Sequence, residues 1–414
     1  MMGDRPPAID LHGTALRAAK GFLTGTHRTV APEATLDRLL PILPRVGVTR
    51  LANVTGLDRL GIPVVLAHRP NSPTLSNGAG KGASLVAAKV SAAMEALELQ
   101  HAEAIALPVV ECAYDDLPAY ARIPLGRLPA VPQGEFRSDR SEPWIMGWDL
   151  VGRRGVAAPW CSVAMVPPRR PSQFTMVTTN GLAGGNHPLE AIAAALYEVV
   201  ERHSVAGHRR AEAVDGIAWP RLDAATIDDP VTQDLLGRFA AAEIAPIIFD
   251  TTGVLDVPCY TALTFDRDLR HTGIHRGYGC HLDPRIALVR ALTEAAQARA
   301  VLIAGSRDDI FRRDYLANQF GDSTAQIRAL EAIRPRAVFG GRPSRSTPTF
   351  EGDVGLLLEA LTAAGFDQVL AFDLTQPAIG IPVIRIVVPG LDGYLVEALD
   401  HGPRRVAAAD PAAA

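Results

Sequence analysis

Lysine is nearly missing from this chain. Of 41 basic residues only Lys20, Lys81 and Lys89 are lysine, and arginine stands wherever else a surface cation would serve. A lysine kept against that bias is kept for what a planar guanidinium cannot supply, a compact ammonium on a flexible stem. Four cysteines, Cys112, Cys161, Cys259 and Cys280, form no Cys-x-x-Cys pair, which excludes a zinc ribbon or dithiol centre and predicts buried thiols. No apolar run approaches a bilayer span, and the opening MMGDRPPAIDLHG lacks the hydrophobic core of a secretory signal, so a cytoplasmic location without a membrane partner is expected. A net charge of −4 over 414 residues excludes bulk attraction to nucleic acid. No Walker A loop is present, since Gly82 follows Lys81 where that motif needs Ser or Thr and its upstream glycine is missing. What remains, 48% hydrophobic and 21% charged, is the composition of a soluble globular protein with a sizeable core.

The most informative stretch runs from Ser72 to Glu103. A small-residue loop ends in Gly80-Lys81-Gly82, and a helix from about Ala83 to Glu103 carries Glu95 and Glu98. Glycines leave room for a ligand against backbone N–H groups, Lys81 supplies a point charge, and the carboxylates supply hard oxygens: the pattern of a phosphate-and-magnesium element. Ser84, Ala87, Ala88 and Ser91 put a stripe of small side chains ahead of Glu95. The layout recurs in Met176 to Arg202, where Asn180-Gly181 and Gly184-Gly185 precede a helix opened around Asn186 and Pro188 and bearing Glu198 and Glu201. It recurs again in Gly277 to Arg299, with Asp283 near the helix start and Glu294 and Gln297 beyond it. One Glu-x-x-Glu pair is common on a solvated helix; three acid-x-x-acid/amide pairs in the same local setting are not. Converging helices would gather these acids into one pocket, where like charges require cations between them. Magnesium and a polyphosphate meet that need, with Lys81, Arg202 and Arg299 to offset the phosphate charge, so the residues point to an ATP-and-magnesium site without a P-loop.

Elsewhere the pattern predicts a mobile or loosely docked leader over 1–24, a helix opened near Pro32 and closed before Pro44, and a strand pair around the turn from Asp58 to Gly61. Residues 107–175 read as short strands and loops, and an aromatic-containing helix follows around Phe311 to Phe320. A βαβ-like run closes the chain: a helix from Asp353 to Ala364, then strands in QVLAFDL and PVIRIVVPGL. The expected organisation is the leader, one α/β catalytic domain over 25–400, and a flexible tail over 401–414.

Taken together and in order, the motifs resemble the YcaO family. Its pattern runs GKG, S-A-x-M-E-A-x-E, N-G-L-A-x-G with E-x-x-E-R, and T-E-A-x-Q-x-R. Here these stand at Gly80-Lys81-Gly82, Ser91 to Glu98, Asn180 to Gly184 with Glu198 to Arg202, and Thr293 to Arg299, and the likeness spans about residues 25–400. The resemblance implies an α/β fold of YcaO type, with mixed β-sheets flanked by Ala-rich helices that converge on an ATP/Mg site. It implies ATP-dependent activation of a peptide backbone amide: a nucleophile adds to the carbonyl, the amide oxygen is phosphorylated, and phosphate leaves. It makes Glu95, Glu98, Glu198, Glu201 and Glu294 magnesium ligands and, with Gln297, contacts of the nucleotide. Lys81, Arg202 and Arg299 become phosphate contacts, and Ser91 and Asn180 polar neighbours of the nucleotide. No catalytic residue is assigned by it.

Gly25-Thr26-His27-Arg28, Pro32-Glu33-x-Thr35 and Arg69-Pro70-Asn71-Ser72 are similar to the branch that works with a TfuA-like partner, and the C-terminus lacks the Pro-x-Pro-x-Pro tail of azoline-forming members. That likeness implies thioamide formation on a precursor peptide or protein substrate with an external sulfide source. An azoline-forming cyclodehydratase is the alternative within the family, and a non-catalytic nucleotide-binding accessory protein is the alternative of another class. A homodimer is the default oligomeric expectation. Three departures stand out: Gly78-Ala79 where the branch has Ser-Gln, Thr179 where it has serine, and the extra Gly185. The first removes two polar side chains beside the expected phosphates and is the feature that favours the accessory reading.

Overall fold

The structure is a computed structural model that describes residues 6–131, 136–166, 174–216, 218–266, 273–312, 315–316 and 323–393. The expected tail over 401–414 and most of the expected helix around Phe311 to Phe320 lie outside them. The chain divides into two compact units, Gly21–Leu97 with Ala211–Ser346, and Met1–Lys20 with Glu98–Arg210 and Thr347–Ala414.

The first of these units is built twice on one plan. Strands Arg50–Asn53, Val64–His68 and Asn77–Lys81 form an antiparallel sheet in that order and lead into the helix Leu85–Glu103. Strands Ile244–Asp250, Cys259–Asp266 and His275–Cys280 do the same and lead into the helix Pro284–Ala304. In each, the last strand carries glycine at alternate positions, so that one face is bare backbone. A Cβ on Gly80 would lie 2.1 Å from Ala92 N, one on Gly277 2.2 Å from Ala295 N, and one on Gly279 2.0 Å from Ala287 O. This corrects the reading of Gly80 as part of a ligand loop: it sits inside a strand, and its missing side chain lets the following helix lie against the sheet. The Pro284–Ala304 helix begins as its sequence suggests, with Pro284 in its first turn and the Asp283 side chain accepting from Arg285 N, and it ends at Gly305 in the left-handed region (φ 62°). Phe239, Leu288, Leu292 and Tyr260 fill the core beneath it.

The other unit is organised by a sheet in the order Val109–Ala113, Ser141–Asp149, Leu370–Asp373, Val383–Val387 and Leu182–Gly184, with Arg154–Pro159 also paired to Ser141–Asp149. All of these pairings are antiparallel. Trp144, Ile145, Phe174 and Phe372 form its core. The expected βαβ-like ending is overturned here. The helix Phe350–Ala363 is present, but the two strands after it pair antiparallel with each other, so no crossover joins them.

Over its described part the leader packs against the chain. Ile9–Leu11 pairs with Thr14–Leu16, Phe350 N donates to Ala18 O at 2.8 Å, and Lys20 Nζ lies 2.5 Å from Asp353 Oδ2 with both side chains 1% exposed. A short hydrophobic pattern did not reveal this, because the anchor is a buried ion pair rather than an apolar face. Among the described residues no helix is long and apolar enough to cross a membrane.

Candidate functional site

The three sequence motifs fold into one repeated device. In each, a strand or the turn into it turns a backbone N–H toward the helix that follows, and the first acid of that helix accepts it. Glu95 Oε2 accepts from Ala79 N at 2.9 Å, Glu198 Oε1 from Gly181 N at 3.2 Å, and Glu294 Oε1 from Tyr278 N at 3.3 Å. The separations in sequence are 16, 17 and 16 residues. A carboxylate accepting a backbone N–H is fixed in direction.

The second position of the first and third pairs links different parts of the chain. Glu98 Oε1 accepts from Gly184 N at 2.6 Å, tying the first motif helix to the second motif strand. Gln297 Nε2 donates to Ala79 O, tying the third motif helix to the first motif strand. Ala79 is therefore gripped through both backbone groups, by Glu95 and by Gln297. Sequence reasoning missed this role, since an alanine carries no chemical signal; the constant spacing from strand to acid was the available clue.

Lys81, the last residue of its strand, places Nζ 2.5 Å from Glu294 Oε2, with side-chain exposures of 20% and 21%. In one unit the structure thus brings together Lys81, Glu95, Glu294 and Gln297, and Ser91 lies half-buried one turn before Glu95. In the other it gathers Glu98, Glu198 and Asn180 at the 180–184 segment, with Glu201, 2% exposed, one turn beyond and 3.5 Å from Arg202 Nη1. Asn180 N donates to Thr178 Oγ1 at 3.0 Å. Arg299 does not join either group. It is 4% exposed, donates from Nε to Asp58 Oδ2 at 2.8 Å, and lies 3.1 Å from Asp266 Oδ1. Arg59 shares that aspartate at 2.9 Å. The arginine expected to touch phosphate is held in a buried ion-pair network, whose charges sit at the foot of the third motif helix.

The donor set fits a magnesium nucleotide. Carboxylates are the hard, oxygen-only ligands that magnesium takes, in small numbers beside phosphate oxygens. Lys81 can leave one partner for another without a change of fold, because its pair with Glu294 is partly solvated. His187 Nδ1 accepts from Leu189 N at 3.1 Å, and burial holds the imidazole below its ordinary pKa.

Comparison with known proteins places this geometry. The family model described as YcaO cyclodehydratase, ATP- and Mg2+-binding, matches residues 79–392. The chain is 34% identical over 397 residues to an uncharacterized protein of the tfuA 3′ region of Rhizobium leguminosarum bv. trifolii, with 92% of each chain covered. It is 33% identical over 385 residues to an uncharacterized protein of Methanothermobacter thermautotrophicus, covering 89% of this chain and 96% of that one. Among solved structures, a heterocyclase in complex with substrate and cofactor superposes with a TM-score of 0.78 at 21% identity over 94% of this chain; the chain spans 55% of that protein's length. YcaO from Methanopyrus kandleri, bound with AMPPCP and Mg2+, superposes with a TM-score of 0.72 at 24% identity, covering 94% and 98% of the two chains. These two superpositions establish a shared fold.

Proposed function

This chain belongs to the YcaO family of ATP- and Mg2+-binding proteins, and from that premise we propose that it phosphorylates a peptide backbone amide and exchanges the amide oxygen for sulfur. The observation that carries the first half is the thrice-repeated contact between strand N–H and helix acid, which orients three carboxylates by the same means. The second half is supported by the 34% identity, over 92% of both chains, to a protein of a tfuA 3′ region. The partners that follow are a TfuA-like protein, a sulfide source, and a ribosomally made precursor peptide or protein; the compartment is the cytoplasm.

In this reading Glu95, Glu98, Glu198, Glu201 and Glu294 hold magnesium. Lys81 and Arg202 contact the phosphates, while Ser91, Asn180 and Gln297 border the nucleotide. Arg299 supports the third motif helix through Asp58 and Asp266 instead of touching phosphate. Bound magnesium supplies charge neutralisation for the transferring phosphoryl group. The chain's own contribution is to orient: Glu95, Glu198 and Glu294 are aimed by backbone N–H groups, and Lys81 exchanges Glu294 for a phosphate oxygen when nucleotide arrives.

The test is accurate mass of a precursor peptide encoded nearby, after incubation with this protein, its TfuA-like partner, ATP, magnesium and sulfide. Oxygen-to-sulfur exchange that requires ATP is the expected result. Loss of one water would identify an azoline-forming enzyme instead. No change with a validated substrate, while nucleotide still binds, would identify an accessory protein. Glu95→Gln with Glu98→Gln separates the last two classes further, because it abolishes turnover in an enzyme and leaves partner binding intact in a scaffold.

A further inference from the structure

Cys259 and Cys280 are both thiols, and both are 0% exposed. Their spacing in sequence matches no dithiol motif, but strand register sets them directly opposite each other on the antiparallel strands Cys259–Asp266 and His275–Cys280. Side chains that stand directly opposite share one face of the sheet. The pairing corrects the expectation that no dithiol centre is present.

The backbone decides how closely the two sulfurs meet. Antiparallel partners alternate between pairs that exchange N–H···O bonds and pairs that do not, and the second kind brings side chains nearer, with Cα atoms about 4.5 Å apart. Cys259 and Cys280 are a pair of the second kind. The Cys259 N–H donates to Thr252 Oγ1 at 3.1 Å and its carbonyl accepts from Thr251 N at 2.8 Å, so both of its backbone groups turn toward the chain just past the strand Ile244–Asp250 and away from Cys280. The adjacent pair does bond, with His281 N donating to Pro258 O at 3.1 Å. A Cα separation of about 4.5 Å falls inside the roughly 4.4–6.8 Å that a disulfide spans, and is narrower than its commonest value of about 5.5–6 Å.

We propose that this pair is an oxidation site, which a peroxide converts into a cross-strand disulfide that weakens ATP binding; the effect on ATP rests on the nucleotide site proposed above. One thiolate sulfur attacks a peroxide oxygen, the O–O bond breaks with hydroxide leaving, and a sulfenic acid forms. The second thiolate attacks the sulfenic sulfur, the S–O bond breaks, and a second hydroxide leaves. The two thiol protons convert both hydroxides to water. His275–Cys280 is the edge strand of its three-stranded sheet, so local opening there admits the oxidant. In a reducing compartment such a bond is transient, as a sensor requires. The link to nucleotide follows from the same alternation of pairs. Tyr278, two residues before Cys280, stands opposite Thr261 in another pair that exchanges no bonds, so its N–H points off the outer edge of the sheet, where Glu294 Oε1 accepts it at 3.3 Å. That distance is already beyond the usual range of an N–H···O bond. The other oxygen of Glu294 holds Lys81. A disulfide that re-spaces Cys259 and Cys280 shifts this end of the strand, and the contact that aims Glu294 has no margin to absorb the shift.

Two measurements on the full chain test the assignment. After treatment with hydrogen peroxide, peptide mapping without reductant is expected to find Cys259 joined to Cys280 with the loss of two hydrogen atoms. Isothermal titration with ATP and magnesium is then expected to give a Kd about tenfold higher than that of the reduced protein, and dithiothreitol should restore it. Cys259→Ala should bind ATP as the reduced wild type does and keep that affinity after peroxide; Cys280→Ala answers the same question if the first variant does not fold. The inference is overturned if peroxide yields no peptide joining the two cysteines, or if the cross-linked protein binds ATP as tightly as the reduced one. It is overturned equally if Cys259→Ala loses affinity on oxidation as the wild type does, since another residue would then be responsible. Reduced protein that binds no ATP yet still forms the linked peptide would sink the nucleotide reading, and with it the effect on ATP, while upholding the oxidation site.

Discussion

Gly80→Ala is the substitution for which the structure gives the most definite number. The glycine is in a strand with φ outside the left-handed region, so the whole effect of a methyl group is steric. The new Cβ would lie 2.1 Å from Ala92 N and 2.2 Å from Ala88 O, both backbone atoms of the first motif helix that no rotamer change can move. Restoring ordinary contact demands that helix and strand part by roughly 1 Å. Overpacking of this kind costs about 1–3 kcal/mol. The same retreat carries Glu95 Oε2 away from Ala79 N, now at 2.9 Å, past the range of a hydrogen bond. Loss of a charge-assisted bond adds about 1.5–3 kcal/mol. The sum, about 2.5–6 kcal/mol, corresponds to a fall in Tm on the order of 10 °C, and the nucleotide-dependent rise in Tm should shrink with it because Glu95 has lost its aim. Gly207→Ala is the control of opposite sign. Gly207 lies within the helix Pro188–Asp215 with nothing within 4 Å of its new Cβ, so alanine there should stabilise by about 0.5–1 kcal/mol. Both are read by thermal scans with and without ATP and magnesium. If Gly80→Ala melts at or above the wild-type temperature, the packing role assigned to the strand glycines is wrong.

Lys81→Met should raise the KM for ATP about 10–100-fold through loss of one charge-assisted phosphate contact. Its Tm in the absence of nucleotide should move by no more than about 2 °C, because the pair with Glu294 is partly solvated. Lys20→Met should destabilise by about 3–5 kcal/mol in a urea melt by leaving the buried Asp353 carboxylate without its cation, and Lys20→Met with Asp353→Asn should lose less than the two separate effects combined. Burial pushes the Asp283 carboxyl up, but hydrogen bonds from the Arg285 side chain and backbone outweigh it and hold the group below the usual carboxylate range. Stability from a depressed carboxylate is present above its unfolded pKa and lost as pH falls through the folded one, so Asp283→Asn should lower Tm at pH 7 and converge on wild type below about pH 4. Burial, and then the Glu142 charge, push the Cys161 thiol up to about 11, so at pH 8 iodoacetamide should label the half-buried Cys112 in the native protein and reach Cys161 only after unfolding, as peptide mapping would show.

The helices were legible because their signals are local. Pro32, Pro188 and Pro284 open three of them, and Asp283 caps the third as its side chain predicts. The threefold repeat was legible for the same reason, since loop, alanine stripe and acid pair each recur at constant spacing. Long-range facts were not. Only the fold could reveal that Asp58 and Asp266, remote in sequence, pair with Arg299. The two closing strands read correctly as strands, but a strand's pattern of apolar residues does not state its direction relative to its neighbour, and the antiparallel pairing of Phe372 with Arg385 was beyond reach. Lys20 was counted among three lysines, yet nothing near it in sequence announces Asp353.

Gly78-Ala79 is where the two accounts of this chain's activity meet. Two polar side chains missing beside the expected phosphates would argue for a scaffold that binds nucleotide without turnover. The strand alters that weighing. A Cβ on Gly78 would lie 3.0 Å from Ala96 N and 3.1 Å from Ala92 O, so position 78 faces the first motif helix and its glycine serves close packing. The methyl group of Ala79 belongs to an apolar cluster with Val64, Leu66 and Val301. What position 79 gives the site is its backbone, the N–H that aims Glu95 and the carbonyl that Gln297 holds. Neither depends on the side chain. The substitution therefore tightens the contact of strand with helix and leaves the acid set and its orientation whole, which is the arrangement a catalyst needs and a scaffold does not.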